Sequence, residues 1–216
     1  FEGDKGPNTG GMGTYSFENH SLPFLTEENI LEAQKTNELV AKQLLKHTGL
    51  PYVGVLYGGF TLTKDGIKVI EYNARFGDPE AMNVLSILKS DFLSICFSLV
   101  EGKLEKEEVL FDELATVCKY VVPLGYPNNP MKGFEVFCDQ NDSSLFLASV
   151  MFKNKKLIAC GSRTAAVVGK NRDIQKAEAF AEQGVSNISG KLFHRKDIGT
   201  KDLIGLRVKR MKELLN

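Results

Sequence analysis

The chain has 216 residues, of which 27 are basic and 27 acidic, so its formal net charge is zero. This balance argues against a broad nucleic-acid-binding surface, and the chain has no apolar run long enough to predict a transmembrane helix. The 43% hydrophobic content is typical of a globular protein with one large domain or two small ones.

The first 25 residues are rich in Gly, Pro, Asn and Thr and predict a long ordered loop. Thr26 precedes two acidic residues, a pattern that predicts a helix start, and an apolar stripe continues the helix to about Lys46. The chain begins with Phe1, and its first residues resemble the middle of a functional loop. We therefore expect it to be part of a longer or split protein.

Two strands are predicted next, at about 53–63 and 67–74, with Asp65-Gly66 between them as a hairpin signal. A helix is predicted to begin near Asp78, with Pro79 at its favoured first position. A second helix is predicted to start at Ser90-Asp91.

The charge-dense segment 101–113 predicts a linker between residues 1–100 and a β-rich domain at 114–216. Strands are predicted at about 116–122, 134–137, 145–152, 156–160 and 163–169. Asp173 is predicted to cap a helix that buries Phe180 among other apolar residues, and residues 207–212 to form a short amphipathic terminal piece. The fold class that this pattern predicts is α+β.

The four cysteines lie in apolar or strand-like contexts without a Cys-x-x-Cys pair, at Cys96, Cys118, Cys138 and Cys160. We predict free thiols in a reducing cytoplasm, and their wide spacing disfavours a zinc site. His20, His47 and His194 do not cluster and are not predicted to bind a metal.

The second hairpin strand carries Glu71, Asn73 and Arg75 at alternate positions, which share one face of a strand. A carboxylate and an amide oxygen suit Mg²⁺, which leaves coordination sites open for phosphates. A guanidinium binds an anionic group through two parallel hydrogen bonds. The triplet therefore predicts phosphoryl transfer from ATP, although an ordinary amphipathic strand with one wet face has the same alternation.

The segment Asp4 to Gly13 contains four glycines, which let backbone N–H groups approach an anion closely. It lacks the Gly-Lys-Ser/Thr ending of a Walker A loop. Binding of a phosphate or a substrate carboxylate is one interpretation, and an ordinary turn is the other.

These segments together resemble the glycinamide ribonucleotide synthetase family of ATP-grasp enzymes. The resemblance lies in Gly6-Pro7-Asn8-Thr9-Gly10-Gly11-Met12-Gly13, Gly54 to Phe60, Glu71 to Glu80, Val122 to Pro127 and Phe193 to Gly199. It implies the back half of an ATP-grasp domain, an antiparallel sheet with helices, followed by a small β-rich C-terminal domain. The adenine contacts and phosphate-binding lysines would then belong to a missing N-terminal half, supplied in cis or in trans.

The resemblance also implies an activity, the ligation of glycine to 5-phosphoribosylamine with ATP, through a glycyl phosphate, in purine biosynthesis. It implies Glu71 and Asn73 as ligands of Mg²⁺ or Mn²⁺ and Arg75 as the catalytic anion-binding residue. The substrate-binding residues that it implies are Pro7, Asn8, Thr9, Gly10, Gly11, Met12, Gly13, Asp78 and Pro79, although Asp78 is also in place to cap a helix. No nucleic acid or membrane partner is expected.

Two other functions remain open at this point. One is an ATP-grasp ligase with a different acceptor, and the other is a remnant that binds nucleotide without catalysis. The segment His194 to Asp197 is likewise open to two interpretations, a solvated charged loop or a contact that orders the C-terminal domain.

Overall fold

The computed structural model describes residues 1–215 and shows an α+β protein, as predicted. The α-helices are α1 (Glu27–Thr48), α2 (Glu80–Ser86), α3 (Phe92–Val100), α4 (Ile174–Ser186) and α5 (Lys201–Leu215). The strands are β1 (Gly13–Ser16), β2 (Tyr57–Thr63), β3 (Gly66–Asn73), β4 (Ala115–Pro123), β5 (Glu135–Val136), β6 (Leu145–Leu147), β7 (Val150–Lys153), β8 (Lys156–Ala159), β9 (Ala165–Asn171) and β10 (Leu192–His194).

The chain divides into two compact units, each assembled from separated segments. Unit 1 comprises Phe1–Ser21, Asp78–Ile87 and Glu113–Leu206, and unit 2 comprises Leu22–Gly77, Leu88–Asp112 and the chain from Arg207. Compactness thus divides the chain differently from the domain boundaries predicted at 100 and 113, which stay a prediction.

Unit 1 is built on an antiparallel sheet in the order β1-β4-β9-β6, with β10 also paired to β4. The central strand β4 is buried along its whole length, and α4 packs on β4 and β9. A smaller sheet, in the order β5-β8-β7, joins the same unit. The apolar core lies between these elements and contains Val121, Val136, Leu157, Ala159, Ala165, Val167, Val185 and Ile188.

Unit 2 contains α1, α3 and the antiparallel hairpin of β2 and β3. Thr26 caps α1 through a capping box with Asn29, and Gly49 ends the helix in the left-handed conformation. Asp91 caps α3 by accepting a hydrogen bond from the Ser94 amide, at 2.9 Å. The predicted helix starts at Thr26 and Asp91 are therefore confirmed.

Several sequence predictions differ from the structure. The predicted loop 1–25 contains β1, because residues 13–16 find pairing partners about a hundred positions later, in β4. The predicted strand 145–152 is two strands, and Pro79 is the cap residue of α2 rather than its first helical residue. Phe180 is 54% exposed although it was predicted to be buried, and the terminal basic piece belongs to the longer helix α5.

The four cysteines are free thiols, as predicted. Within residues 1–215, no helix has the length and apolar character needed to cross a membrane.

Candidate functional site

The structure brings Glu71, Asn73 and Arg75 together at the end of β3 in unit 2. The Asn73 amide nitrogen donates to Glu71 Oε1 at 3.0 Å, and Arg75 donates to Asn73 Oδ1 at 3.3 Å. Arg75 also donates to the Phe76 carbonyl at 2.6 Å. Arg75 was predicted to lie on the strand, but β3 ends at Asn73 and Arg75 lies in the bend that follows.

The hairpin geometry explains why these side chains are accessible. Glu71 lies opposite Gly59, and the register shifts between Gly59 and Phe60, so that Ile70 forms a bulge before Glu71. Bulges re-aim the side chains that follow them. The glycine opposite has no side chain to cover the carboxylate, which is exposed.

The donor atoms of this cluster fit a hard divalent cation. Glu71 offers carboxylate oxygens and Asn73 an amide oxygen, and Mg²⁺ is commonly bound by one or two such ligands together with phosphates and water. Within residues 1–215 there is no group of three or more His, Cys, Asp or Glu residues suited to hold a metal. Oxygens from a bound phosphate and from water would therefore complete the coordination.

The glycine-rich loop lies in unit 1, and its residues have different surroundings. Pro7, Asn8, Thr9 and Gly10 are exposed, whereas the Met12 side chain is only 7% exposed. The Met12 carbonyl accepts from the Tyr120 amide at 3.0 Å, and Gly13 pairs with Lys119 as β1 begins. One end of the loop is accordingly anchored in the main sheet.

Asp78 connects this loop to the sheet through its carboxylate. Its Oδ1 accepts from the Tyr120 hydroxyl at 2.8 Å, and its Oδ2 lies 2.6 Å from an Arg163 nitrogen. Arg163 also donates to the carbonyls of Gly11, at 2.9 Å, and of Asp78, at 3.0 Å. The cap residue of α2 is Pro79, without a side-chain cap hydrogen bond. The Asp78 carboxylate instead contacts Tyr120 and Arg163.

Two further contacts hold the loop in place, and a third joins Arg163 to the main sheet. The Tyr126 hydroxyl donates to the Gly10 carbonyl at 3.0 Å, and the Arg163 guanidinium lies 4.9 Å from the centroid of the Tyr120 ring. Pro79 is fully buried, and a Cβ atom at Gly11 would lie 2.6 Å from its Cδ. Only a glycine therefore allows this close approach between the loop and Pro79.

The surroundings of Tyr120 favour its protonated, neutral form. Burial, followed by the hydrogen bond to Asp78, raises the pKa of Tyr120, and burial raises the pKa of the neighbouring Cys118 thiol. Tyr120 is thus a neutral hydrogen-bond donor to Asp78.

The segment His194 to Asp197 belongs to a network of ion pairs within unit 1. Arg195 contacts Asp4 at 2.9 Å and Asp197 at 2.6 Å, and Asp197 accepts from the Gly3 amide at 2.8 Å. The Arg195 and Asp197 side chains are only 13% and 18% exposed. A solvated loop is therefore the wrong interpretation, because the segment fixes the start of the glycine-rich region.

Sequence reasoning missed Arg163, Tyr120 and the contact made by Tyr126. The hydrogen bond from Arg163 to Gly11 spans 152 positions, and no local pattern predicts such a pairing. Tyr126 lies in the segment Val122 to Pro127, which carries part of the family resemblance, but that segment does not indicate its contact with the loop.

Comparison with known proteins identifies the relatives of this chain. The family model for the phosphoribosylglycinamide synthetase ATP-grasp (A) domain matches residues 1–81, and the model for the C domain of the same family matches residues 116–201. A phosphoribosylamine–glycine ligase of Methanococcus maripaludis is 51% identical over 219 residues, which cover 99% of this chain and 49% of the relative. The corresponding ligase of Methanocaldococcus jannaschii is 50% identical over 218 residues, with the same two coverages.

A solved structure agrees with these matches. The crystal structure of a phosphoribosylamine–glycine ligase from Thermotoga maritima matches with a TM-score of 0.75 and 29% identity, over 91% of this chain and 48% of that one. The chain thus spans about half the length of the curated relatives it matches. With both domain models and all of these relatives in agreement, the chain belongs to the phosphoribosylglycinamide synthetase family.

Proposed function

We propose that this chain is part of an ATP-dependent carbon–nitrogen ligase that joins glycine to 5-phosphoribosylamine in purine biosynthesis. The observation that carries the proposal is the hydrogen-bonded cluster of Glu71, Asn73 and Arg75 in a chain about 50% identical to phosphoribosylamine–glycine ligases.

The proposed reaction has two steps. An oxygen of the glycine carboxylate attacks the γ-phosphorus of ATP, and the bond to ADP breaks to give glycyl phosphate. The amine of phosphoribosylamine then attacks the acyl carbon, releases inorganic phosphate and loses a proton to give glycinamide ribonucleotide. Both the triphosphate and the carboxylate are anions, so catalysis depends on screening their repulsion.

We assign that screening to the cluster at the end of β3. Glu71 and Asn73 would hold Mg²⁺ or Mn²⁺, and the ion would neutralise phosphate charge when ATP is bound. Arg75 is exposed and presents a guanidinium suited to a carboxylate or phosphoryl oxygen.

We assign substrate binding to the loop from Pro7 to Gly13 together with Asp78 and Pro79. Backbone amides of an exposed glycine-rich loop suit a carboxylate or phosphate group. Arg163 acts as a positioning residue, since it donates to the backbone of Gly11 and to both the carbonyl and the carboxylate of Asp78.

The proposed activity also requires a partner for this chain. Because the relatives are about twice as long as the matched region, we propose that their other half, in cis or in trans, supplies the adenine contacts. The free cysteines support a reducing cytoplasmic location.

The proposal is tested by ADP release. The chain is mixed with the unmatched half of the Methanococcus maripaludis relative, and glycine and phosphoribosylamine are omitted in turn. Release that needs both substrates supports the ligase. Release that needs neither indicates another acceptor or ATP hydrolysis alone, and no release from a folded, associated pair favours a chain that binds nucleotide without catalysis.

A further inference from the structure

Unit 2 lacks an interior of its own. Every buried apolar residue of the described chain lies in unit 1, and none of the described residues of α1 or α3 is buried. Folded units of this size are stabilised by removing apolar side chains from water. Unit 2 instead exposes large apolar side chains on α1, β3 and α3.

The helix α3 concentrates this exposure on one face. Its sequence, Phe-Leu-Ser-Ile-Cys-Phe-Ser-Leu-Val, contains no charged residue. The side chains of Leu93, Phe97 and Val100 are 63%, 60% and 74% exposed, and their spacing of four and three positions places them on one face of the helix. We call these three residues the α3 stripe.

The opposite side of α3 already has neighbours. Ile95, Cys96 and Leu99 are partly buried, and the Phe92 ring lies 6.1 Å from the Phe76 ring. A helix that is apolar on all sides is normally covered on all sides, so the α3 stripe is the face that lacks its cover.

We propose that the α3 stripe is a docking surface for the half of the ligase that lies outside this chain. The inference rests on the proposed function. The length of the relatives identifies the occupant. The match covers 99% of this chain but only 49% of each relative, so a second body of comparable size is available to cover unit 2. Its contacting surface is apolar, because burial of a charged group against three large aliphatic and aromatic side chains is unfavourable.

The test measures association rather than catalysis. The chain is mixed with the unmatched half of the Methanococcus maripaludis relative, without ATP or glycine, and studied by analytical ultracentrifugation and hydrogen–deuterium exchange. We expect a one-to-one complex in which amides of residues 92–100 exchange at least about tenfold more slowly than in the isolated chain. Since no substrate is present, this result is independent of whether the ligase assignment is correct.

Two matched variants locate the contact. Phe97→Glu should weaken association by about tenfold or more, since a central aromatic residue is a typical hot spot. Phe180→Glu is the control, because Phe180 is also a helical phenylalanine and is 54% exposed, but lies in unit 1. It should change the affinity by less than about twofold, within the scatter of surface substitutions.

Several outcomes would overturn the proposal. One is a complex without slowed exchange at residues 92–100, and another is equal loss of affinity in the two variants. Self-association of the isolated chain that Phe97→Glu abolishes would assign the stripe to a second copy instead. If the separate half does not fold, hydrogen–deuterium exchange is measured on a single chain in which the two halves are joined. Fast exchange of the amides at residues 92–100 in that folded chain contradicts the proposal.

Discussion

Arg163 connects three stretches of sequence that lie far apart along the chain. Its guanidinium donates to the Gly11 carbonyl and to two oxygens of Asp78, and it covers the Tyr120 ring. Two guanidinium nitrogens share this work, because Nη1 donates to the two carbonyls and Nη2 to the Asp78 carboxylate. Lysine has one ammonium group and cannot reproduce this arrangement.

We predict that Arg163→Lys loosens the loop without unfolding unit 1. Under the proposed function, KM for glycine or phosphoribosylamine should rise by about tenfold with a smaller change in kcat, because the residue positions the binding loop. Exchange of the amides at residues 10–13 should quicken in parallel. Arg172→Lys, an exposed arginine in the same unit, is the control. If Arg163→Lys leaves both KM and the exchange of the amides at residues 10–13 unchanged, Arg163 does not position the loop.

We predict a different effect for Glu71→Gln. The carboxylate is exposed, so the thermal midpoint should stay the same, whereas phosphoryl transfer in the reconstituted enzyme should fall by about a hundredfold through loss of charge at the metal site. Arg75→Lys should also impair transfer, because lysine cannot form a bidentate contact. Rates of ADP release are compared with those of Glu108→Gln, another exposed glutamate. Activity of Glu71→Gln within about twofold of the parent, under roughly 0.5 kcal/mol of barrier, contradicts the metal assignment.

At the scale of elements, local signals predicted the helix starts and the hairpin. Thr26 and Asp91 act through neighbours three positions away. The hairpin predicted at Asp65-Gly66 is present, with its two-residue turn at 64–65 and Gly66 as the first residue of β3. The elements that were missed depend on distant partners. Strands β1 and β10 are only four and three residues long and pair with β4, so their own sequences carry little strand signal.

The first residue of β1 illustrates this dependence. Gly13 has φ of +154°, and a Cβ there would collide with the Cys118 carbonyl and lie 2.9 Å from Ile198 Cδ1. We predict that Gly13→Ala destabilises unit 1 by roughly 1–3 kcal/mol, measured by urea unfolding.

The control for this substitution is Gly205→Ala in the interior of α5. No atom lies within 4 Å of a Cβ placed there, so helix propensity alone predicts a gain of roughly 0.5–1 kcal/mol. Equal effects of the two substitutions would show that the site of β1 pairing is not tightly packed.

At the scale of the whole molecule, the sequence predicted which side chains share one strand, but not which segments meet. Glu71 and Asn73 are two positions apart, and their contact follows from strand geometry. The partners of Asp78 lie 42 and 85 positions away. Their identity depends on the packing of unit 1, which periodicity along the chain does not encode.

The same packing produces a buried charge cluster that should govern stability in acid. Lys119 is fully buried and contacts Glu178 at 2.6 Å, Glu182 at 2.7 Å and the Lys196 carbonyl at 2.8 Å, and His194 lies 3.0 Å from Glu182. Burial alone would raise the pKa of Glu182, but hydrogen bonds and charges from Lys119 and His194 lower it below its ordinary value of 4.5.

We predict that unit 1 loses stability as the pH falls below this ordinary value. The folded carboxyl binds its proton less tightly than the unfolded one, so its contribution is fully present above pH 4.5 and is lost as the pH falls through the folded pKa. Glu182→Gln should give a shallower decline in the free energy of unfolding, measured with urea from neutral to acid pH. Glu113→Gln, an exposed control, should retain the parent's slope, and identical slopes in all three proteins would show that Glu182 is not responsible.

Unit 1 depends on contacts between its first residues and segments that come much later in the chain. Gly3 donates to Asp197 across 194 positions, and β1 pairs with a strand about a hundred residues later. Contacts of such long range close large loops and form slowly, after local structure such as the β2–β3 hairpin. During synthesis, the glycine-rich segment is made well before residues 195–197, so the contacts that fix its start can form only after those residues are available. A chain released before residue 197 would carry every proposed metal and substrate ligand and still lack the contact that orders the start of the loop.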